Sequence, residues 1–209
     1  MILPPAFQVA APFGTNIGPT NPAFFGLSPD TQFDSFLTIG MDGPALQQGA
    51  LSSIGIDFAA WDETTGMSTD DGAVFFMDPE HGATSEPVTF LQLTVPSGNP
   101  VRGQFAAQGR SQAGEDWMAV GVTFSSDSNP DAPAAPSPAP PPGQGGLRPV
   151  VTTVTTGKAG YTTYQVGASF PNVRDVYALF GQPGATMVMP PAFQVSLSLS
   201  LSLSLSLSL

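Results

Sequence analysis

The chain has no cysteine, a single histidine and a single lysine, and its lysines and arginines together number only five against sixteen acids. Without cysteine there is no disulfide framework, no thiol nucleophile and no cysteine-ligated zinc, although that absence does not fix the compartment. None of the five basic residues precedes Arg102, whereas eleven acids do. No basic footprint therefore exists for a phosphate backbone or an anionic lipid surface, which argues against nucleic acid as a partner. Apolar runs fall far short of the ~20 residues that span a bilayer, so no membrane insertion is expected. There is also no Asn-x-Ser/Thr acceptor for N-glycosylation. Charged residues make up 10% of the chain, less than half the globular average of about 25%. Even so, 41% hydrophobic content with 15 Phe is richer than disordered chains carry, so the sequence folds. Its 209 residues allow one or two domains, and the net charge of -11 makes cations or a basic partner the natural complement.

Residues 1–9 (MILPPAFQV) and 187–195 (MVMPPAFQV) share the word Pro-Pro-Ala-Phe-Gln-Val. A shared word of this complexity predicts that residues 1–186 approximate one unit of a tandem array and that a second unit begins at Met187. The second unit stops at once: residues 196–209 are a strict Ser-Leu alternation, the pattern that a TC dinucleotide repeat encodes when read in triplets. That tail reads as disordered or artefactual, and the chain as a fragment whose missing signal peptide says nothing about localisation. Between the ends, residues 127–149 form a Pro-rich linker that would separate folded pieces by roughly 3 Å per residue. The expected organisation is a β-sandwich domain over 1–126, the linker, and a β-rich segment over 150–195 that starts the next repeat. The two β-rich parts would come from successive modules or pair with each other.

Strand signals dominate. Residues 33–40 (FDSFLTIG), 53–58 (SIGIDF), 73–77 (AVFFM), 88–95 (VTFLQLTV), 102–108 (RGQFAAQ) and 118–124 (MAVGVTF) are short, rich in Phe, Val and Ile, and bounded by Gly, Pro, Asn and Asp. Residues 150–156, 161–170 and 176–180 read the same way, the first two as an exposed hairpin with Thr outward. No segment shows a capped helical period. The predicted class is all-β, an antiparallel β-sandwich of jelly-roll or immunoglobulin-like type.

Candidate chemistry is sparse. His81 sits in the turn Asp78-Pro79-Glu80-His81-Gly82 with no Gly-x-Ser-x-Gly elbow anywhere, so it reads as a turn residue, and no catalytic residue is assigned. Asp57, Asp62, Glu63, Asp70, Asp71, Asp78 and Glu80 fall in or beside loops, where carboxylates could converge on Ca²⁺. Asp62, Asp70, Asp71 and Asp78 are the candidate ligands, against the plainer reading that hairpin turns demand Asp and Gly. Trp61 and Trp117, each beside acids, are candidate carbohydrate-stacking platforms, against the plainer reading that they form core. Arg110 is expected to pair with Glu115 or Asp116. A carboxylate-based hydrolase would need two acids facing each other in a pocket.

PPAFQVAAPFG, NPAFFG, FDSFLTIG, LSSIGIDFAAW, TDDGAVFFMDP and AQGRSQAGEDWMAVGVTF together resemble a repeat of large predicted extracellular proteins of microbial eukaryotes. The general layout is similar to cohesin-like and carbohydrate-binding sandwiches, without a diagnostic motif of either. The resemblance implies a multi-copy surface or secreted protein. The expectation is a non-enzymatic structural or adhesive module at the cell surface or outside the cell. Its partners would be other copies of the repeat or extracellular matrix and glycan, with Ca²⁺ as the candidate cofactor and a carbohydrate-binding module as the alternative.

Overall fold

Apolar residues alternate with polar or small ones through most of the expected strands, and that alternation is what lets a strand bury one face. The computed structural model describes residues 2–3, 6–10, 13–41, 50–84, 86–127, 147–154, 157–170 and 173–183. Most of the Pro-rich linker, the second PPAFQV word and the Ser-Leu tail lie outside the described residues. The strands are β1 (Ile2–Leu3), β2 (Phe36–Leu37), β3 (Leu51–Ile54), β4 (Met67–Ser68), β5 (Ala73–Phe76) and β6 (Val88–Pro96). They continue with β7 (Arg102–Ser111), β8 (Asp116–Ser125), β9 (Arg148–Thr153), β10 (Tyr161–Ser169) and β11 (Val173–Phe180). The only helical elements among the described residues are short 3-10 turns. Three of these begin with proline at their first position, which suits a residue whose φ is fixed and whose missing N–H is not needed there.

The strands form a four-stranded sheet in the order β2-β6-β10-β9 and a five-stranded sheet in the order β3-β5-β11-β7-β8, while β1 pairs with β4. Every strand pairing is antiparallel. The fold is all-β, as the alternation predicts. Residues from both sheets share one core. Phe90 on β6 meets Phe105 on β7 edge-on at 5.1 Å between ring centroids, and Phe170 bridges from Phe90 at 5.9 Å to Trp117 on β8 at 5.0 Å. Offset and edge-on contacts of this kind add to the burial of four aromatic side chains that water scarcely reaches.

Of the two arrangements expected for the β-rich parts, successive modules or pairing with each other, the strand order is the second. Strand β10 lies between β6 and β9, and β11 lies between β5 and β7. Val166, Ala168, Val176 and Leu179, all from beyond that stretch, are completely buried in the common core. Segments on either side of residues 127–149 thus pair with each other instead of standing apart. The expected hairpin of β9 and β10 is present, but β6 covers its second edge, and Thr163 is buried with its hydroxyl 2.8 Å from that of Thr94. Strand β9 remains an edge, and it carries Pro149, a residue tolerated at an edge because it has no N–H to give a further strand.

Candidate functional site

The two tryptophans do not offer ring faces to a sugar. Trp61 closes the 3-10 turn Phe58–Ala60 and is fully buried, and Trp117 is 7% exposed against Phe170. A stacking platform needs an open face, so the carbohydrate reading loses both residues on which it rested. The Nε1 of Trp117 is itself buried without a hydrogen-bond partner.

The four acids proposed for Ca²⁺ stand in turns. Asp62 accepts from the backbone N–H of Thr64 and of Thr65, each at 2.7 Å, and from the Thr64 hydroxyl at 2.8 Å. Those donors hold its carboxyl below the usual carboxylate range. Asp78 caps the turn Pro79–His81 by accepting from the N–H of Glu80 at 3.0 Å, and its other oxygen lies 2.8 Å from Nδ1 of His81. The cap and the histidine also lower its carboxyl. Asp70 and Asp71 occupy the turn between β4 and β5, with Asp71 3.3 Å from the Thr69 hydroxyl. No group of three or more His, Cys, Asp or Glu suited to a metal comes together among the described residues. His81 is exposed in its turn, as its sequence context suggests.

Arg110 on β7 does reach Asp116 on β8, at 3.3 Å, and it also contacts Glu80 in the turn after β5. Glu80 in turn meets Arg174 of β11, whose Nε donates to Asp175 at 2.7 Å. This chain of charges ties three strands and one turn together at one end of the five-stranded sheet. Of the two partners expected for Arg110, Asp116 is the one it meets, while the N–H of Glu115 donates to the Ser111 hydroxyl at 3.1 Å.

Two acids stand out among the described residues: Asp34, to which the sequence assigns no role, and Glu63, which it places only among the loop carboxylates. Asp34 is wholly buried. Its Oδ1 accepts from the N–H of Val9 at 2.6 Å, and its Oδ2 accepts from the N–H of Thr15 at 2.9 Å and the hydroxyl of Thr20 at 3.2 Å. Burial pushes its carboxyl up to about 7 despite these donors, which pull the other way. Asp34 therefore fastens the irregular N-terminal segment beside β6, where Gln92 also donates to the Asp34 carbonyl at 2.8 Å. The signal in the sequence is a lone acid between two phenylalanines in FDSF.

The second acid is Glu63, in the turn that follows Trp61. Its Oε1 is closed off from water and has no hydrogen-bond partner, although the residue as a whole is only half-buried. Desolvation pushes its carboxyl up to about 7, opposed by the charge of Lys158 and reinforced by that of Asp62. Lys158 is the chain's single lysine. It contacts the carboxylate of Asp30 and lies 4.9 Å from the ring centroid of Phe7 and 6.0 Å from that of Tyr161. Lys158 thus brings Phe7, Asp30 and Tyr161, from three separate stretches of the chain, to one corner, where a carboxylate, an amine and aromatic rings are neighbours.

No protein family, curated protein or solved structure matches this chain.

Proposed function

We propose that this protein is a non-enzymatic structural or adhesive module of the cell surface or extracellular space, acting through contacts with further copies of itself or with matrix and glycan. The observation that carries the reading is where its ionisable groups are spent. Asp34 binds three points of the N-terminal segment, Glu80 joins Arg110 to Arg174, and Lys158 joins Asp30 across 128 residues of chain. Each link fastens segments distant in sequence, which is what a shape-holding part requires. The repeated PPAFQV word and the Pro-rich spacing support an array of such units.

The test is to immobilise the full chain and probe it with a second copy and with a panel of matrix polysaccharides, while assaying turnover of glycosides and esters. Binding without turnover supports the reading. Turnover of any substrate that disappears in Glu63→Gln would contradict it. Ca²⁺ is the reading's candidate cofactor, through the turns that hold Asp62, Asp70, Asp71 and Asp78. Saturating metal at 100 times its dissociation constant would raise stability by roughly 2.7 kcal/mol, and melts that coincide with Ca²⁺ and with chelator would remove it from the account.

A further inference from the structure

We propose that the groove holding residues 6–9 is a binding site for the word Pro-Pro-Ala-Phe-Gln-Val, and that residues 187–195 are its second ligand, exchanging with residues 1–9 in the same molecule. This goes beyond the proposed role, since it concerns what fills one groove of the fold whether or not the module has a partner.

The groove is built around the first word. Ala6, Phe7 and Gln8 are all buried. The N–H of Phe7 donates to the Thr94 carbonyl of β6 at 3.1 Å, and the Phe7 carbonyl accepts from the N–H of Ser35, just before β2. Ser35 is itself held to β6, its hydroxyl accepting from the N–H of Thr94 at 3.0 Å. The N–H of Val9 donates to the buried Asp34 carboxyl at 2.6 Å, and Nζ of Lys158 stands 4.9 Å from the centroid of the Phe7 ring. Upstream, β1 runs along β4, with Ile2 opposite Ser68 and Leu3 opposite Met67. Backbone hydrogen bonds at residues 7 and 9, with side chains buried between them, are how a sheet recognises an extended peptide.

Ala192, Phe193, Gln194 and Val195 repeat Ala6, Phe7, Gln8 and Val9 residue for residue behind the same two prolines, and Val188 and Met189 stand as apolar residues where Ile2 and Leu3 do. Each of these contacts within residues 6–9 uses the backbone or a side chain that both words carry, so a groove that binds one word binds the other. Residues 187–195 lie outside the described residues; their sequence and the place where β11 ends are what make them the ligand. Just past β11, the N–H of Gly181 donates to the Gly72 carbonyl at 2.9 Å. A β-carbon on Gly72 would stand 2.7 Å from the Thr69 side chain, and Thr69 adjoins Ser68, the partner of Ile2. The end of β11 therefore sits beside the entrance to the groove. From Gly181 to Val188 the chain extends to roughly 23 Å, more than the few residue widths to be crossed, and entry from the β4 end runs the second word in the same direction as the first. A ligand on so short a tether meets its site at an effective concentration of about millimolar, which favours the same molecule over a second copy as its source.

Melts of the full chain carrying Phe7→Ala, Phe193→Ala or both test this. With two interchangeable words, either single variant melts within about 2 °C of the parent, because the intact word fills the groove. The double variant leaves the groove no phenylalanine and melts roughly 10 °C lower, or without a cooperative transition. Added synthetic peptide MVMPPAFQV raises the melt of the double variant, and the same peptide with Phe193→Ala does not. Phe7→Ala sediments as a monomer, with the replacement made inside one chain. A Phe7→Ala chain that already shows the full drop, with nothing further lost in the double variant, overturns the proposal. So does a double variant that melts with the parent, and so does a Phe7→Ala chain that assembles into dimers, since the word would then pass between copies.

Discussion

The indole of Trp117 lies against the backbone of Gly109, its cross-strand neighbour, where a β-carbon on residue 109 would stand 2.6 Å from Cζ2 of the ring and 2.1 Å from the Asp175 carbonyl oxygen. The absent side chain on β7 is what lets the ring of β8 and the backbone of β11 close on the same spot. Gly109→Ala is therefore expected to cost about 1–3 kcal/mol through overpacking, read as a lowered midpoint in a denaturant titration. Gly26→Ala, at a site with open space around it, should stay within about 0.5 kcal/mol of the parent. Equal effects of the two would contradict the packing assigned to Trp117.

Asp34→Asn changes almost no volume, yet it places an amide nitrogen where one of two acceptor oxygens now stands. Oδ1 faces the Val9 N–H, and Oδ2 faces the Thr15 N–H and the Thr20 hydroxyl, so either orientation sets a donor against a donor. The expected loss is about 1–3 kcal/mol, measured by thermal or chemical melts. A neutral substitution would mean that the carboxylate does not hold the N-terminal segment.

Asp34 and Glu63 both have folded-state carboxyls near 7, against ordinary values of 3.8 and 4.5. The folded chain therefore binds protons that the unfolded chain has already released across this window. Their contribution to stability is fully present below about 4 and is lost as pH rises through 7. The carboxyls of Asp62, Asp78 and Glu80 are shifted downward, so their contributions change only below the ordinary carboxylate range. Melting temperature should accordingly be higher at about pH 5.5 than at about pH 8, on either side of the raised carboxyls at about 7. In Glu63→Gln the slope should flatten. A melting temperature that climbs from pH 5.5 to pH 8 would reverse the sign of this account.

Much of the fold was legible because strand formation is local. FDSFLTIG, AVFFM, VTFLQLTV and MAVGVTF each carry their own alternation or β-branched and aromatic density, and each contains or overlaps a strand. What was not legible is what depends on distance. Nothing near residue 161 says that β10 will pair with β6 across the Pro-rich stretch, because composition marks a spacer equally well within a fold and between folds. Trp61 and Trp117 illustrate the same limit, since an indole beside acids reads alike whether its ring faces water or Phe170. Asp34 and Glu63 were hidden for a further reason. Their unusual chemistry comes from desolvation and from partners at residues 9, 15, 20 and 158, none of which a local motif contains. The turn acids Asp62 and Asp78 behaved as Asp does in turns generally, satisfying nearby backbone N–H groups.

The account turns on one shape-holding fold built from both sides of the Pro-rich stretch, and a comparison of melts tests it most directly. Residues 1–126 alone lack β9, β10 and β11, and with them an interior strand of each sheet and the buried Val166, Val176 and Leu179. The full chain is predicted to melt cooperatively, residues 1–126 to show no cooperative transition, and addition of residues 147–183 as a separate peptide to restore one. A cooperative melt of residues 1–126 by themselves, at the temperature of the full chain, would contradict the account.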